Sequence, residues 1–280
     1  MKEASAGGNS GMLDCVETFF RRIFFRILSV GPIPAHIAFI MDGNRRYAKK
    51  NNLEEGAGHK AGFSALLSML KYCFEFGVKY VTVYAFSIDN FRRKPEEVRI
   101  LMDLMLEKIE SLLEEESLVN QYGVRVYFVG RLELLSEPVR TAAEKLMRST
   151  ANNTKCALLV CLAYTSTDEI LHAITKSCDA RVQDEESSGA PENSVNGNVD
   201  GITVADIERE MMMAVAPDPD ILIRTSGETR LSNFLLWQTR TCTLFSSSAL
   251  WPEISFRHLV FAILIFQRNF TYLEKKMKQF

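Results

Sequence analysis

The sequence predicts an α/β fold: a single domain with a central, mostly parallel six-stranded sheet surrounded by helices. Three observations carry this expectation. Six short runs rich in aliphatic and β-branched residues recur along the chain, and segments with apolar residues at helical spacing separate most of them. Strands that alternate with helices pair in parallel and are covered on both faces, so they read as near-continuous apolar runs. At 280 residues, 47% hydrophobic and 24% charged, the chain has enough apolar surface for one core of this kind.

Residues 1–12 are small and polar and are expected to be disordered. Over 13–30, Val16, Phe19, Phe20, Ile23, Phe24, Ile27 and Leu28 recur at helical spacing with Arg21, Arg22 and Arg26 between them. This is an amphipathic basic helix, and contact with a membrane surface and packing on protein fit it equally. Gly31-Pro32-Ile33-Pro34 breaks it, and the folded domain then occupies 34–280. The first strand, Ile37–Met41, stops at Asp42-Gly43-Asn44. A helix over Ala61–Phe76 carries Phe63, Leu66, Leu67, Leu70 and Phe74 on one face. The strand Tyr80–Phe86 follows, then a long helix Glu96–Asn120 with Pro95 suited to its first turn. Strands Val124–Val129 and Ala157–Ala163 flank the helix Pro138–Thr150, and Thr167–Cys178 is again helical. The stretch 179–201, rich in Asp, Glu, Ser, Gly and Asn, breaks the rhythm and is expected to be a mobile insertion. The helix Val204–Met213, the strand Asp220–Arg224 and a weaker strand Thr243–Ser246 complete the pattern. Leu259–Phe266 fits a core helix.

The net charge of −2 gives no global attraction to nucleic acid, so no nucleic-acid partner is expected. Six cysteines without a CxxC pair fit reduced core residues in a cytosolic setting, and four histidines without ligand spacing argue against structural zinc. No run reaches the roughly 18 apolar residues of a membrane span.

Open parallel sheets bind ligands beyond the carboxyl ends of their strands. The first strand delivers Asp42 there, followed by Gly43, Asn44, Arg45 and Arg46. A carboxylate suits Mg²⁺, glycine admits close backbone approach, and planar guanidinium forks suit phosphate oxygens. An ordinary strand-to-helix turn with a solvated basic first turn explains this segment equally well taken alone. The second strand ends at Ser87-Ile88-Asp89-Asn90 with Arg92 and Arg93. The fifth ends at Arg224-Thr225-Ser226-Gly227-Glu228-Thr229-Arg230-Leu231-Ser232-Asn233. Together these ends point to two anion sites and a metal.

The motifs Ile40-Met-Asp-Gly-Asn-Arg-Arg46, Gly58-His-Lys-Ala-Gly62, Tyr84-Ala-Phe-Ser-Ile-Asp-Asn90, Ile223-Arg-Thr-Ser-Gly-Glu-Thr-Arg230, Leu231-Ser-Asn-Phe-Leu-Leu-Trp-Gln238 and Leu250-Trp-Pro-Glu253 follow one another in order. In this the chain resembles the cis-prenyltransferases, the undecaprenyl and dehydrodolichyl diphosphate synthase family. Its wording is closest to the eukaryotic long-chain branch, in particular the plant polyprenol or rubber-type members. The resemblance implies a catalytic domain over 34–280 enclosing an apolar tunnel. It implies Mg²⁺-dependent condensation of isopentenyl diphosphate onto an allylic diphosphate, farnesyl diphosphate being the expected primer. Asp42 would hold the metal; Gly43, Asn44, Arg45, Arg46, His59 and Arg93 would bind the allylic diphosphate. Asn44, Ser87 and Asn90 would act at the reacting centre, and Arg224, Arg230 and Ser232 would hold isopentenyl diphosphate. Leu66, Leu70, Leu101, Met105 and Leu112 would line the tunnel, and a long helix over Glu96–Asn120 would make room for a long product.

Two departures stand out against the bacterial pattern: Glu54-Glu55-Gly56-Ala57 replaces a segment that carries an arginine, and Thr243 replaces an acidic residue. The chain also ends without an Arg-x-Gly motif. The expectation is therefore a catalytic subunit that takes this motif from a homologous, non-catalytic scaffold subunit of the Nogo-B receptor-like kind. The pair would sit peripherally on the cytosolic face of the endoplasmic reticulum. The alternatives at this point are a non-catalytic scaffold subunit and an aspartate-dependent phosphohydrolase. The latter is disfavoured because Asn44 stands where such enzymes carry a second aspartate.

Overall fold

The computed structural model describes residues 19–54, 56–114, 117–188 and 201–278. The sheet order is β3-β4-β2-β1-β5-β6, with β1 at His36–Ile40, β2 at Tyr80–Ser87, β3 at Val124–Val129, β4 at Cys156–Tyr164, β5 at Ile221–Arg224 and β6 at Thr243–Ser246. Every neighbouring pair runs parallel. From β1 the chain winds one way through β2, β4 and β3, and then crosses back to β5 and β6. Winding therefore reverses on either side of β1, and the crevice at such a reversal is where open sheets take ligands. The register aligns Ile40 with Tyr84 on one side and with Arg224 on the other. Asp42, Ser87 and Arg224 thus emerge along one edge.

The helices are α1 (19–28), α2 (Asn44–Lys50), α3 (Ala57–Phe76), α4 (Pro95–Leu113), α5 (Leu118–Tyr122), α6 (Glu137–Ser149), α7 (Ser166–Ser188), α8 (Val204–Arg209) and α9 (Phe256–Met277). They cover both faces, and all five residues of β1 are buried. The larger core joins Ile37, Phe39, Val81 and Ile223 to Met69, Leu70, Ile109, Leu259 and Ile263; a smaller one on the other face joins Ala38, Ile40, Tyr164, Leu222 and Phe234.

In α1 one face packs on protein. Phe25 lies 5.0 Å from the Phe76 ring and 5.3 Å from that of Phe256. Gln267 donates to the Leu28 carbonyl at 2.7 Å. Arg21 is not part of a solvated basic stripe: it is buried and its Nε meets Glu75 at 2.9 Å. Phe20, Ile23, Phe24 and Ile27 remain exposed on the other side, with Arg22 and Arg26. Residues 1–18, including the start of the expected amphipathic helix, lie outside the described residues.

Several expected helices differ in extent: that expected at Ala61–Phe76 begins at Ala57, and the core helix expected at Leu259–Phe266 spans Phe256–Met277. The long helix Glu96–Asn120 is two helices: α4 stops at Leu113, Glu114 turns to ψ 145, and α5 restarts under a Ser117 cap. Glu114, Glu115 and Glu116 in sequence would set three carboxylates against the negative end of the helix dipole, and the serine offers a fresh start. An argument for long products from one continuous helix therefore falls. The helix expected at Thr167–Cys178 instead runs on to Ser188, because 179–188 contains neither glycine nor proline. The rest of that stretch, 189–200, is outside the described residues. Val204–Met213 ends as a helix at Arg209, and Met212–Val215 forms a 3₁₀ turn.

At the opposite, amino edge of the sheet, His36 is fully buried. Its Nδ1 donates to the Pro217 carbonyl at 2.6 Å, so Nε2 accepts from Thr82 Oγ1 at 2.7 Å. Burial, only partly offset by the Pro217 bond, pushes its pKa down to about 4. The unfolded imidazole protonates near 6.5 and the folded one near 4. Stability is thus full above pH 6.5, falls between the two values and levels off below. Urea unfolding of wild type should lose on the order of 3 kcal/mol from this group across that window. His36→Gln should show a correspondingly shallower pH dependence; equal slopes for the two proteins would contradict the assignment.

Candidate active site

The centre of the site is the Asp42 turn. Gly43 sits at φ 112, a conformation glycine adopts freely, and a Cβ there would lie 2.4 Å from Ser226 Oγ. The Asp42 carbonyl accepts from Thr225 Oγ1 at 2.6 Å, Ser226 Oγ at 2.8 Å and the Trp251 N–H at 2.9 Å. With its backbone so fixed, the carboxylate is presented between two guanidinium groups. Oδ2 accepts from Arg224 Nη2 at 2.8 Å and Oδ1 from Arg46 Nη2 at 3.2 Å. Burial alone would push this carboxyl up, but the hydrogen bonds and charges of Arg224 and Arg46 outweigh it and hold the pKa below the ordinary value. Asp42 is therefore ionised at neutral pH.

Arg224, only 5% exposed, organises the turn after β5. Its Nη1 donates to the Arg230 carbonyl at 2.6 Å and to Ser232 Oγ at 2.7 Å. Its Nε is buried with no partner among the described residues. An orphan guanidinium donor is costly unless an acceptor arrives, and an anion supplies one. Asn44 is the second such group. Its Nδ2 donates to the Met41 carbonyl at 3.3 Å, while its Oδ1 is buried and unpaired. The glycines of α3 make this possible: a Cβ on Gly58 would lie 2.2 Å from the Asn44 carbonyl oxygen, and one on Gly62 would lie 2.1 Å from Asn44 Oδ1.

The end of β2 supplies the other wall. Ser87 caps the turn Ile88–Arg92, accepting from Asp89 N–H at 3.1 Å, and its own N–H donates to Asn90 Oδ1 at 3.0 Å. Arg93 and Arg45 share one oxygen of Glu97, at 2.8 and 3.1 Å. His59, in the first turn of α3, has its pKa lowered by burial and then by the nearby charges of Arg93 and Arg45. It is neutral at pH 7.

One cavity of about 740 Å³ joins these groups. Asp42, Asn44, His59, Ser87, Asn90, Arg93, Arg224 and Ser232 line it, as do Leu66, Leu70, Leu101, Met105 and Leu112. Gly43 sits directly behind Asp42. Arg45, Arg46 and Arg230 stand outside the lining: Arg46 at the rim on Asp42, Arg230 paired with Glu228, and Arg45 largely exposed with its head on Glu97. Sequence reasoning passed over Glu97 and Glu228 as organisers of the cations, although Glu97 lies four residues beyond Arg93 at helical pairing distance. It read the hydroxyls of the turn after β5 as part of an anion site, whereas Thr225 and Ser226 hold the Asp42 carbonyl. Thr243 is buried at the amino end of β6, three residues before Ser246, which aligns with Arg224. It is thus remote from Asp42 of the same chain.

Among the described residues no three histidine, cysteine or acidic side chains converge into a metal cage. A single ionised carboxylate beside anion-binding groups fits Mg²⁺, which keeps water and shares phosphate oxygens rather than demanding an all-protein shell.

A family model described as "Putative undecaprenyl diphosphate synthase" matches residues 40–272. The chain belongs to the cis-prenyltransferase family. It is 61% identical to dehydrodolichyl diphosphate synthase 6 of Arabidopsis thaliana, over 98% of this chain and 96% of the relative. It is 54% identical to the rubber cis-polyprenyltransferase HRT2 of Hevea brasiliensis, over 92% of each. The human dehydrodolichyl diphosphate synthase complex subunit DHDDS is 42% identical over 92% of this chain and 74% of its own length. Among solved structures, lavandulyl diphosphate synthase from Lavandula x intermedia, in complex with dimethylallyl diphosphate, superposes with a TM-score of 0.74 at 26% identity, covering 84% of this chain and 95% of that one. The activity of this cis-prenyltransferase is cis-prenyl chain elongation, which sets it apart from a scaffold or a phosphohydrolase.

Gly62→Ala should drive the new methyl into Asn44 Oδ1 and displace the amide. Elongation should fall roughly tenfold or more, a loss of about 1.4 kcal/mol in transition-state stabilisation, in a variant whose circular dichroism is unchanged. Wild-type turnover would show that Asn44 need not be held there.

Proposed function

We propose that this enzyme condenses isopentenyl diphosphate onto an allylic diphosphate, with farnesyl diphosphate as primer, and builds a long-chain polyprenyl diphosphate. The observation that carries this reading is the buried Arg224–Asp42 contact, which joins the ends of β5 and β1 and leaves Arg224 Nε without a partner beside the cavity. The Asp42 side then serves the allylic diphosphate, with Gly43, Asn44, Arg46, His59 and Arg93. The Arg224 side serves isopentenyl diphosphate, with Arg230 and Ser232. Arg45, drawn off to Glu97, is the weakest member of the expected set.

Elongation needs charge to build on a leaving diphosphate while the allylic C–O bond breaks. Asp42 would hold Mg²⁺, which when bound would supply positive charge against the leaving diphosphate. Preoriented guanidinium and imidazole donors accept the rest without reorganising. Ser87 and Asn90, locked together by their mutual cap, orient the alkene of isopentenyl diphosphate against the allylic carbon. Asn44, whose Oδ1 has no other partner among the described residues, is the group nearest in kind to an acceptor for the departing proton. The apolar stretch of the cavity takes the growing chain and keeps water from the allylic cation.

The human relative is named as a complex subunit, which supports work alongside a partner subunit. No helix among the described residues is long and apolar enough to cross a membrane. The exposed aromatic and arginine face of α1 supports a peripheral position on a membrane surface, for which the cytosolic face of the endoplasmic reticulum is our proposal.

Incubation with farnesyl diphosphate, labelled isopentenyl diphosphate and Mg²⁺, with and without the homologous subunit, tests this reading. Incorporation into long polyprenyl chains is expected. Arg224→Lys should raise KM for isopentenyl diphosphate about tenfold or more, because a compact ammonium lacks the planar fork whose separate nitrogens reach Asp42, Ser232 and an anion. Absence of incorporation under every condition, or an unchanged KM in that variant, would overturn it.

A further inference from the structure

The apolar stretch of the cavity contains one group that does not match its surroundings. Asp42, Asp89, Arg93 and Arg224 among the charged lining residues stand at strand ends, whereas Lys108 lies on α4 between Met105 and Leu112, amid the apolar wall. α3 and α4 both line this stretch but pack mainly on other elements, α4 on α6 and α3 on α2 and the 251–253 turn. The gap between them is crossed by Lys108, whose Nζ lies over the Phe63 ring of α3 at 5.1 Å from its centroid. The same ammonium meets Glu107 Oε1 at 2.7 Å, and Lys60 of α3 is near enough to help lower the Glu107 carboxyl pKa, after the hydrogen bond and charge of Lys108.

We propose that Lys108 is a specificity-determining residue that limits product length by latching α4 to Phe63 across the flank of the apolar cavity. The inference rests on the elongation reading above and adds to it the residue that sets where growth stops. The side chain is suited to this. The side chain, 23% exposed, sits among apolar lining residues and ends with its ammonium on Glu107 and over the Phe63 ring. An apolar chain filling the cavity meets an ammonium that cannot be buried without losing its hydration. The chain must either stop or part the two helices by breaking the Lys108–Phe63 contact. Removing the charge would turn the latch into an apolar flank through which the chain can continue.

The test is product analysis by mass spectrometry for the enzyme with its homologous subunit, comparing wild type, Lys108→Leu, Lys108→Arg and Phe63→Leu. Lys108→Leu and Phe63→Leu should lengthen the mean product by two isoprene units or more. Lys108→Arg keeps a cation over the ring and should hold the wild-type distribution. Incorporation of the first unit should change less than threefold in Lys108→Leu, since the residue lies away from the diphosphate groups. Coincident distributions for wild type and Lys108→Leu, or an equal shift in Lys108→Arg, would overturn the latch while leaving elongation intact. Wild type that elongates nothing would instead overturn the functional reading itself.

Discussion

The Arg224–Asp42 ion pair is the interaction on which the site depends. It spans β5 and β1, neighbours in space but separated by most of the chain, and its arginine also fixes the Arg230 carbonyl and Ser232. Arg224 is almost fully buried, so its charge requires partners on every side. Three of its hydrogen bonds meet that need within the protein, and its Nε does not. The same contact that organises two strand ends thus leaves a built-in demand for an anion.

Close packing of backbone on backbone supports this centre. Gly43 lets the Asp42 turn fold onto Ser226, and Gly58 and Gly62 let α3 lie against Asn44. Trp251 locks the assembly from behind, its N–H on the Asp42 carbonyl and its Nε1 donating to the Gly62 carbonyl at 2.8 Å. Beyond the polar groups, apolar side chains of α3, α4 and the sheet line the rest of the cavity. Polar chemistry at the strand ends and an apolar cavity beside it are therefore consequences of one topology.

Much of this was legible in the sequence. All six strands could be read as apolar runs because parallel strands are buried on both faces, and the strand ends could be read from the abrupt appearance of Asp42, Ser87 and Arg224. The strand ends account for Asp42, Asn44, Ser87, Asn90, Arg93, Arg224 and Ser232 among the cavity-lining residues, whereas His59 and the five apolar ones were named by the family resemblance alone. Less legible was what depends on side-chain geometry. Nothing in the local sequence says that Arg45 turns to Glu97, that Arg21 enters a buried pair, or that Arg224 rather than Arg46 is the deeply buried partner of Asp42. Helix limits failed where local chemistry decided them: three successive glutamates and a serine cap split one predicted helix, and the absence of a breaker lengthened another.

A double-mutant cycle on Asp42 and Arg224 tests the dependence most directly, using Asp42→Asn, Arg224→Gln and the double variant, with kcat/KM for isopentenyl incorporation as the readout. If the two side chains act as one unit and each single variant loses about a hundredfold, the double variant should be no more than about threefold worse than the poorer single variant, a coupling of about 2 kcal/mol. Losses that simply multiply would show that the two groups work independently and that the ion pair is not the constraint organising the site.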